Sequence, residues 1–141
     1  MRVYIAAKFE ARDVMKGIRA RVREMGHECL CRWMDIETDE TQNEKKALRE
    51  AEVDLIELSR TDVLVIDEVV NESGRGKYVE LGYALAVFPN KHKVEKTLPH
   101  PLGVKDRIHI VGPARTVFSH YATLHNDWEG FFTWLGKEGV D

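Results

Sequence analysis

The sequence predicts an α/β domain, a parallel sheet with helices on both faces. Three observations carry that reading. Short apolar runs of strand length alternate with longer runs of helical periodicity, the order that favours parallel strands joined by right-handed crossovers. The run Val63-Leu64-Val65-Ile66 is apolar at every position, as a central parallel strand covered on both faces requires. A chain of 141 residues that is 43% hydrophobic and 32% charged has the size and composition of one globular domain with one core.

The elements follow in order. Residues 3–6 (Val-Tyr-Ile-Ala) read as a buried first strand. Residues 11–25 carry Val14, Ile18, Val22 and Met25 at helical spacing, and Gly26 stands where a helix C-cap glycine belongs. Residues 27–31 read as a second strand and the charged stretch 35–45 as a mobile loop. Ala47, Leu48, Ala51, Leu55 and Leu58 mark a second amphipathic helix. Residues 62–67 form the strongest strand and 71–76 a glycine-bearing loop, with a third helix at 78–88. Residues 108–111 form a further buried strand, and Val117-Phe118 a short fifth one. A closing helix over 127–135 has Asp127 as its N-cap and Trp128, Phe131, Phe132 and Leu135 on its apolar side. Together these elements describe a doubly wound, flavodoxin-like (Rossmann-like) parallel sheet of four or five strands in a single domain spanning 1–141. The stretch 89–107 holds three of the four prolines without clear periodicity, a long connection of the kind that serves function or moves.

Composition narrows the partners. A net charge of −3 with mixed signs gives no broad basic face for duplex nucleic acid. No apolar run approaches the roughly 18 residues of a membrane span, and the first eight residues are charged too early for a secretory signal. Cys29 and Cys31 lie too close for an ordinary disulfide framework, which favours a reduced, cytoplasmic setting. In a strand, His27, Cys29 and Cys31 would share one face, but a structural zinc site wants a fourth ligand and none is evident, so no metal is expected.

In open α/β sheets, ligands bind beyond the carboxyl ends of the strands. Residues 7–9, 32–35, 67–76 and 112–115 fall there. Ser73-Gly74-Arg75-Gly76 leads straight into the third helix. Its glycines let backbone approach a ligand, and the helix start favours an anion. Such a loop is more often a plain turn. Glu80, in the first turn or so of that helix, is placed where the dipole favours its ionised form, which suits a nucleophile; complementing the dipole is the commoner role. Asp54 on a helix is ordinarily a solvated charge, and Tyr4 on a buried strand ordinarily a core aromatic with a bonded hydroxyl. Trp33, at a strand end, could stack on a base, and Asp67 could touch ligand or cap its loop.

Several segments together resemble the nucleoside 2-deoxyribosyltransferase-like family, which includes deoxynucleoside 5′-monophosphate N-glycosidases. Tyr4-Ile5-Ala6-Ala7-Lys8-Phe9 resembles the family's first-strand motif. Asp54-Leu55-Ile56 followed by Asp62-Val63-Leu64-Val65 resembles its helix with an inward Asp before the central strand. Residues 74–84, in which Glu80 is followed by Leu-Gly-x-Ala, are similar to its signature, and Ile110-Val111-Gly112, Val117-Phe118 and Trp128 to its closing elements. Only 89–107 lies outside the resemblance. The resemblance implies N-glycosidic chemistry on a small-molecule nucleoside or nucleotide, without metal or organic cofactor. Glu80 would be the nucleophile that forms a covalent deoxyribosyl ester, Asp54 would hold the sugar and help move a proton, and Tyr4 would orient the nucleophile. Ala6, Lys8 and Phe9 from the first motif, Trp33 and Asp67 from strand ends, and Ser73, Gly74, Arg75 and Gly76 from the glycine loop form the implied binding surface. Ser73 lies slightly farther from Glu80 than the phosphate-binding Ser of the monophosphate branch, and Lys8, Arg12, Arg75 and Lys77 offer alternative anion partners. The family's subunit contacts imply a homodimer or higher homo-oligomer, with the region of His120, Tyr121 and His125 near a neighbour's site. Two other functions stand beside this one: a non-enzymatic nucleotide-binding or sensing module, and a glycohydrolase acting on a dinucleotide such as NAD.

Overall fold

The computed structural model describes residues 1–37, 44–69, 76–91 and 104–138. Among them are strands β1 (Val3–Ala6), β2 (Val63–Asp67), β3 (Ile108–Val111) and β4 (Thr123–His125), and helices α1 (Arg12–Glu24), α2 (Glu44–Ser59), α3 (Gly76–Lys91), α4 (Val104–Arg107) and α5 (Trp128–Glu138). The strands form one all-parallel sheet in the order β1-β2-β3-β4. The pairings Tyr4↔Leu64 and Leu64↔Ile108 put these three on one face, and Val65↔His109 and His109↔Thr123 put those three on the other. The two faces are wound separately. Tyr4 and Glu80 meet on the side of α2 and α3, whereas Asp67 and His109 meet Trp128 and Trp134 of α5 on the opposite side. Helix α1 joins α5 there, through an Arg21–Glu129 ion pair and Arg21 stacked over the Phe132 ring at 4.1 Å.

The second expected strand does not form. Residues 27–31 make only an isolated parallel bridge, Arg2↔Glu28. They occupy the position outside β1 that a second strand holds in the 2-1-3-4-5 order of flavodoxin-like sheets. Pairing stops because Cys31 turns into the left-handed region at φ 45°. Side chains then cap the β1 edge where backbone would have continued. The Ile5 N–H donates to Cys31 Sγ at 3.2 Å, and the Trp33 indole N–H donates to the Ile5 carbonyl at 2.9 Å. Arg19 reaches across from α1 to the Leu30 and Cys31 carbonyls and to both Asp35 oxygens. It fixes a 3-10 turn over Arg32–Asp35, ending where the expected mobile loop begins; residues 38–43 of that stretch lie outside the described residues, and Glu44 and Lys45 at its far end belong to α2.

Other expectations shift by less. Helix α1 presents Met15, Arg19 and Val22 inward and leaves Val14 65% exposed, because the spacing of Ala11, Met15, Ile18 and Val22 follows the helical stripe better than one drawn through Val14. Val117 and Phe118 belong to a 3-10 turn over Val117–Tyr121, closed by a Thr116–Ser119 capping box, and the last strand is Thr123–His125. Asp127 caps α5 as expected, its Oδ1 accepting the Gly130 N–H at 2.9 Å. No helix among the described residues is long and apolar enough to cross a membrane.

Two features hold the carboxyl end of the sheet together. Gly112, at φ 113°, lets the chain turn directly against β2, where an added Cβ would stand 2.8 Å from the Glu68 carbonyl carbon. Its N–H bonds the His125 carbonyl at 2.8 Å. Beside it, His109 is fully buried, with Nε2 2.6 Å from the Asp106 carbonyl and Nδ1 2.8 Å from His125 Nε2. A carbonyl only accepts, so Nε2 of His109 carries its proton and Nδ1 accepts from His125. Burial pushes His109 down to about 3 and His125 down as well, which favours two neutral rings.

Gly112→Ala is expected to cost about 1–3 kcal/mol or more, read as a lower urea midpoint. The histidine pair stabilises fully above the ordinary imidazole value of 6.5 and loses its contribution as pH falls from there toward about 3, because the unfolded chain binds the protons first. A melting temperature that drops on acidification below about pH 6.5, and drops less in His109→Leu, is the expected result.

Candidate active site on the α2/α3 face

The site begins with one hydrogen bond between two elements far apart in sequence. Tyr4 lies in the middle of β1 and is 1% exposed. Its register opposite Leu64 sends the ring to the α2/α3 face, where Oη donates to Glu80 Oε1 at 3.0 Å. Leu81, Ala84 and Phe88 are the buried apolar positions described in α3, and Glu80, one residue before Leu81, is carried to the rim of that apolar stripe, on the side toward α2. Helix α2 brings Asp54 to the same place. Its Oδ1 is fully buried with no hydrogen-bond partner among the described residues.

Burial dominates the electrostatics. It pushes the Glu80 carboxyl up to about 8; the Tyr4 hydrogen bond opposes this and the Asp54 charge reinforces it. Burial, followed by the charges of Glu57 and Glu50, pushes Asp54 up to about 7. Tyr4 is raised far above its ordinary range by burial and by the negative charges of Glu80 and Asp54, so it remains a proton donor. The two acids thus both titrate near neutrality, the range in which a group can be nucleophile or proton carrier. Glu80 is the fifth residue of α3, past the first turn in which a helix dipole acts strongly. The phenol, rather than the helix start, is what favours its ionised form.

The other sequence-selected residues are distributed as follows. Ala6 is buried at the end of β1, Lys8 and Phe9 lie just beyond it, and Arg12 stacks over the Phe9 ring at 4.3 Å. Trp33 is mostly buried in the core, with its N–H committed to Ile5. Asp67 is buried at the end of β2 on the opposite face from Tyr4 and accepts the Trp128 indole N–H at 3.1 Å. Gly76 opens α3, while Ser73, Gly74 and Arg75 lie outside the described residues. Lys77 is buried against Glu68 Oε1 at 3.1 Å, so its charge is already matched. His27 Nδ1 meets the N-terminal amine at 3.1 Å, and the Cys29 and Cys31 sulfurs lie 3.7 Å apart.

Two charged groups escaped sequence reasoning. Glu57, buried one turn beyond Asp54, accepts Arg32 Nε at 2.7 Å; the i, i+3 spacing was the available signal. Glu68, buried after β2, holds Lys77 and, at 2.8 Å, Arg115 Nε, and nothing in the local sequence marks it.

A carboxyl held protonated at neutral pH by burial makes folding less favourable as pH rises. Glu80 is protonated in the native state up to about 8, whereas the unfolded side chain ionises from its ordinary 4.5. Glu80→Gln is therefore expected to melt higher than the parent above pH 8 and equally near about pH 4.5.

No family model and no curated protein matches the chain. Solved structures do. A 2-deoxyribosyltransferase from the psychrotolerant bacterium Bacillus psychrosaccharolyticus superposes with a TM-score of 0.62 at 14% identity, covering 100% of this chain and 93% of that one. The CMP N-glycosidase BcmB of Clostridium botulinum superposes with a TM-score of 0.51 at 16% identity, covering 96% of this chain and 98% of that one. The chain shares the α/β fold of these two structures.

Proposed function

We propose that this protein breaks the N-glycosidic bond of a nucleoside or nucleoside 5′-monophosphate and passes the sugar to water or to a second base, with Glu80 as nucleophile. The observation that carries the reading is the buried Tyr4–Glu80 hydrogen bond at 3.0 Å, with Asp54 beside it. A nucleophilic carboxylate needs one orienting donor, and a departing base needs one proton. The likeness of fold to a 2-deoxyribosyltransferase and a CMP N-glycosidase supports the same chemistry.

The reactive form is the minority one in which Glu80 is ionised, favoured by the Tyr4 hydrogen bond, while Asp54 keeps its proton; the Glu80 carboxylate then attacks the anomeric carbon while the bond to the base nitrogen breaks. The electron pair of that bond goes to the base, which takes the Asp54 proton. The Tyr4 hydroxyl keeps the attacking carboxylate oriented. Water or an acceptor base then attacks the same carbon, gives its proton to the Asp54 carboxylate and releases Glu80. The chain's own groups supply every step, so the mechanism calls for no metal or organic cofactor. We also infer a homo-oligomer. Leu48, Leu55 and Ile56 on α2, Val79 on α3, and Val117 and Phe118 beside α3 are exposed apolar side chains of the kind a subunit contact would cover.

Chromatography of purified protein with deoxynucleosides, ribonucleosides and their 5′-monophosphates, with and without a free acceptor base, tests the reading. Base release that falls on the order of 10³-fold or more in Glu80→Ala is expected, and dependence on the acceptor distinguishes transfer from hydrolysis. The pH profile of kcat/KM should be bell-shaped and peak between about 7 and 8. In Tyr4→Phe the optimum should move to higher pH, because the lost hydrogen bond favoured ionised Glu80. Saturable nucleotide binding without base release would instead indicate a binding module.

A further inference from the structure

Two acids, Asp54 and Glu57, lie one helical turn apart on α2, and the fold treats them differently. Glu57 is buried, yet it accepts Arg32 Nε at 2.7 Å and the Arg32 backbone N–H at 3.4 Å. Asp54 has a buried oxygen without a hydrogen-bond partner among the described residues. A buried carboxylate with a guanidinium partner keeps its charge, and one without a partner takes up a proton to avoid the cost of desolvation. We propose that the Arg32–Glu57 ion pair is a positioning device that leaves the proton on Asp54, ready for the departing base. This deepens the glycosidic reading and rests on it for the use of that proton.

The groups facing Asp54 fit this assignment. Tyr4 on β1 is a donor already committed to Glu80 on α3, and Glu50 and Glu57 on α2 itself add negative charge. None of these supplies a cation, and the nearby guanidinium of Arg32 is taken by Glu57. The chain invests structure in holding Arg32 there. The left-handed turn at Cys31 ends the would-be strand and aims the Arg32 N–H at Glu57. Arg19 then pins that turn through the Leu30 and Cys31 carbonyls and through Asp35 at 2.7 Å, and Trp33 anchors it to β1. A continuous strand through residue 32 would leave Glu57 without this partner. Glu57 would then compete with Asp54 for the proton.

The test reads protonation directly. Full-length protein with 13C-labelled Asp and Glu carboxyls is titrated by NMR as wild type, Glu57→Gln and Arg32→Gln. In Glu57→Gln the Asp54 midpoint should fall by about one pH unit, the lower end of what one adjacent charge does. In Arg32→Gln the Glu57 midpoint should rise toward that of Asp54. On whichever substrate releases base, Glu57→Gln should move the pH optimum of kcat/KM downward with KM unchanged, and Glu57→Asp should restore part of the shift. A purely structural role would lower activity at every pH without moving the optimum. An Asp54 midpoint unchanged in Glu57→Gln, or a Glu57 midpoint unchanged in Arg32→Gln, would overturn the proposal. The NMR arm needs no turnover, so absence of base release with the expected midpoint shifts would count against the glycosidic reading alone. If Glu57→Gln does not fold, Arg32→Gln decides, since Arg32 is largely exposed.

Discussion

The chemistry proposed for this protein depends on a half-buried carboxyl group held against a β-sheet. Glu80 could be solvated for almost no cost at the surface of α3. Instead it is turned toward β1, where one phenol donates to it and a second carboxyl stands nearby. Desolvation of this kind destabilises the folded state at neutral pH, and it persists because the surrounding core is closed enough to hold it. Tyr4 is nearly inaccessible, and Leu81, Ala84 and Phe88, which follow the acid along α3, fasten the helix to the sheet.

Around that contact the protein places charge according to partner. Glu57 has Arg32, Glu68 has Lys77 and Arg115, and Asp35 has Arg19. Each of these is an acid whose negative charge is met. Asp54 and Glu80 are acids to which the described residues bring no cation, and they are the ones brought next to Tyr4. The chemistry proposed above needs groups near their transition between charged and neutral, and among the described residues the fold brings no cation to either acid.

The opposite face of the sheet does different work. There the neutral His109–His125 pair, the Trp128–Asp67 hydrogen bond and the aromatic side chains of α5 form a closed layer. Asp67 sits only a few residues from the glycine loop, but strand alternation sends its side chain to this layer. The period-2 geometry of one strand thus separates a residue that braces the sheet end from the Tyr4 face where the acids meet.

Much of this was legible in the sequence. The apolar run at 63–66, the glycine after α1 and the Asp127 cap fix local geometry by short-range sterics and hydrogen bonding, and the structure keeps all three. The alternation of strands and helices determined a parallel α/β sheet, and the order of motifs singled out Tyr4, Asp54 and Glu80. Tertiary structure alone decided the rest. Whether residues 27–31 pair fully depends on Cys31 adopting φ 45° and on Arg19, Trp33 and Ile5 completing the edge, contacts between segments that no local window contains. Likewise Glu57 is an unremarkable helical glutamate until Arg32 is folded against it, and the protonation of Asp54 depends on burial and on which neighbours already have partners. Propensity and periodicity act within a few residues, whereas desolvation and charge pairing act through space, so the sequence specified the frame and the packing of that frame specified the acids.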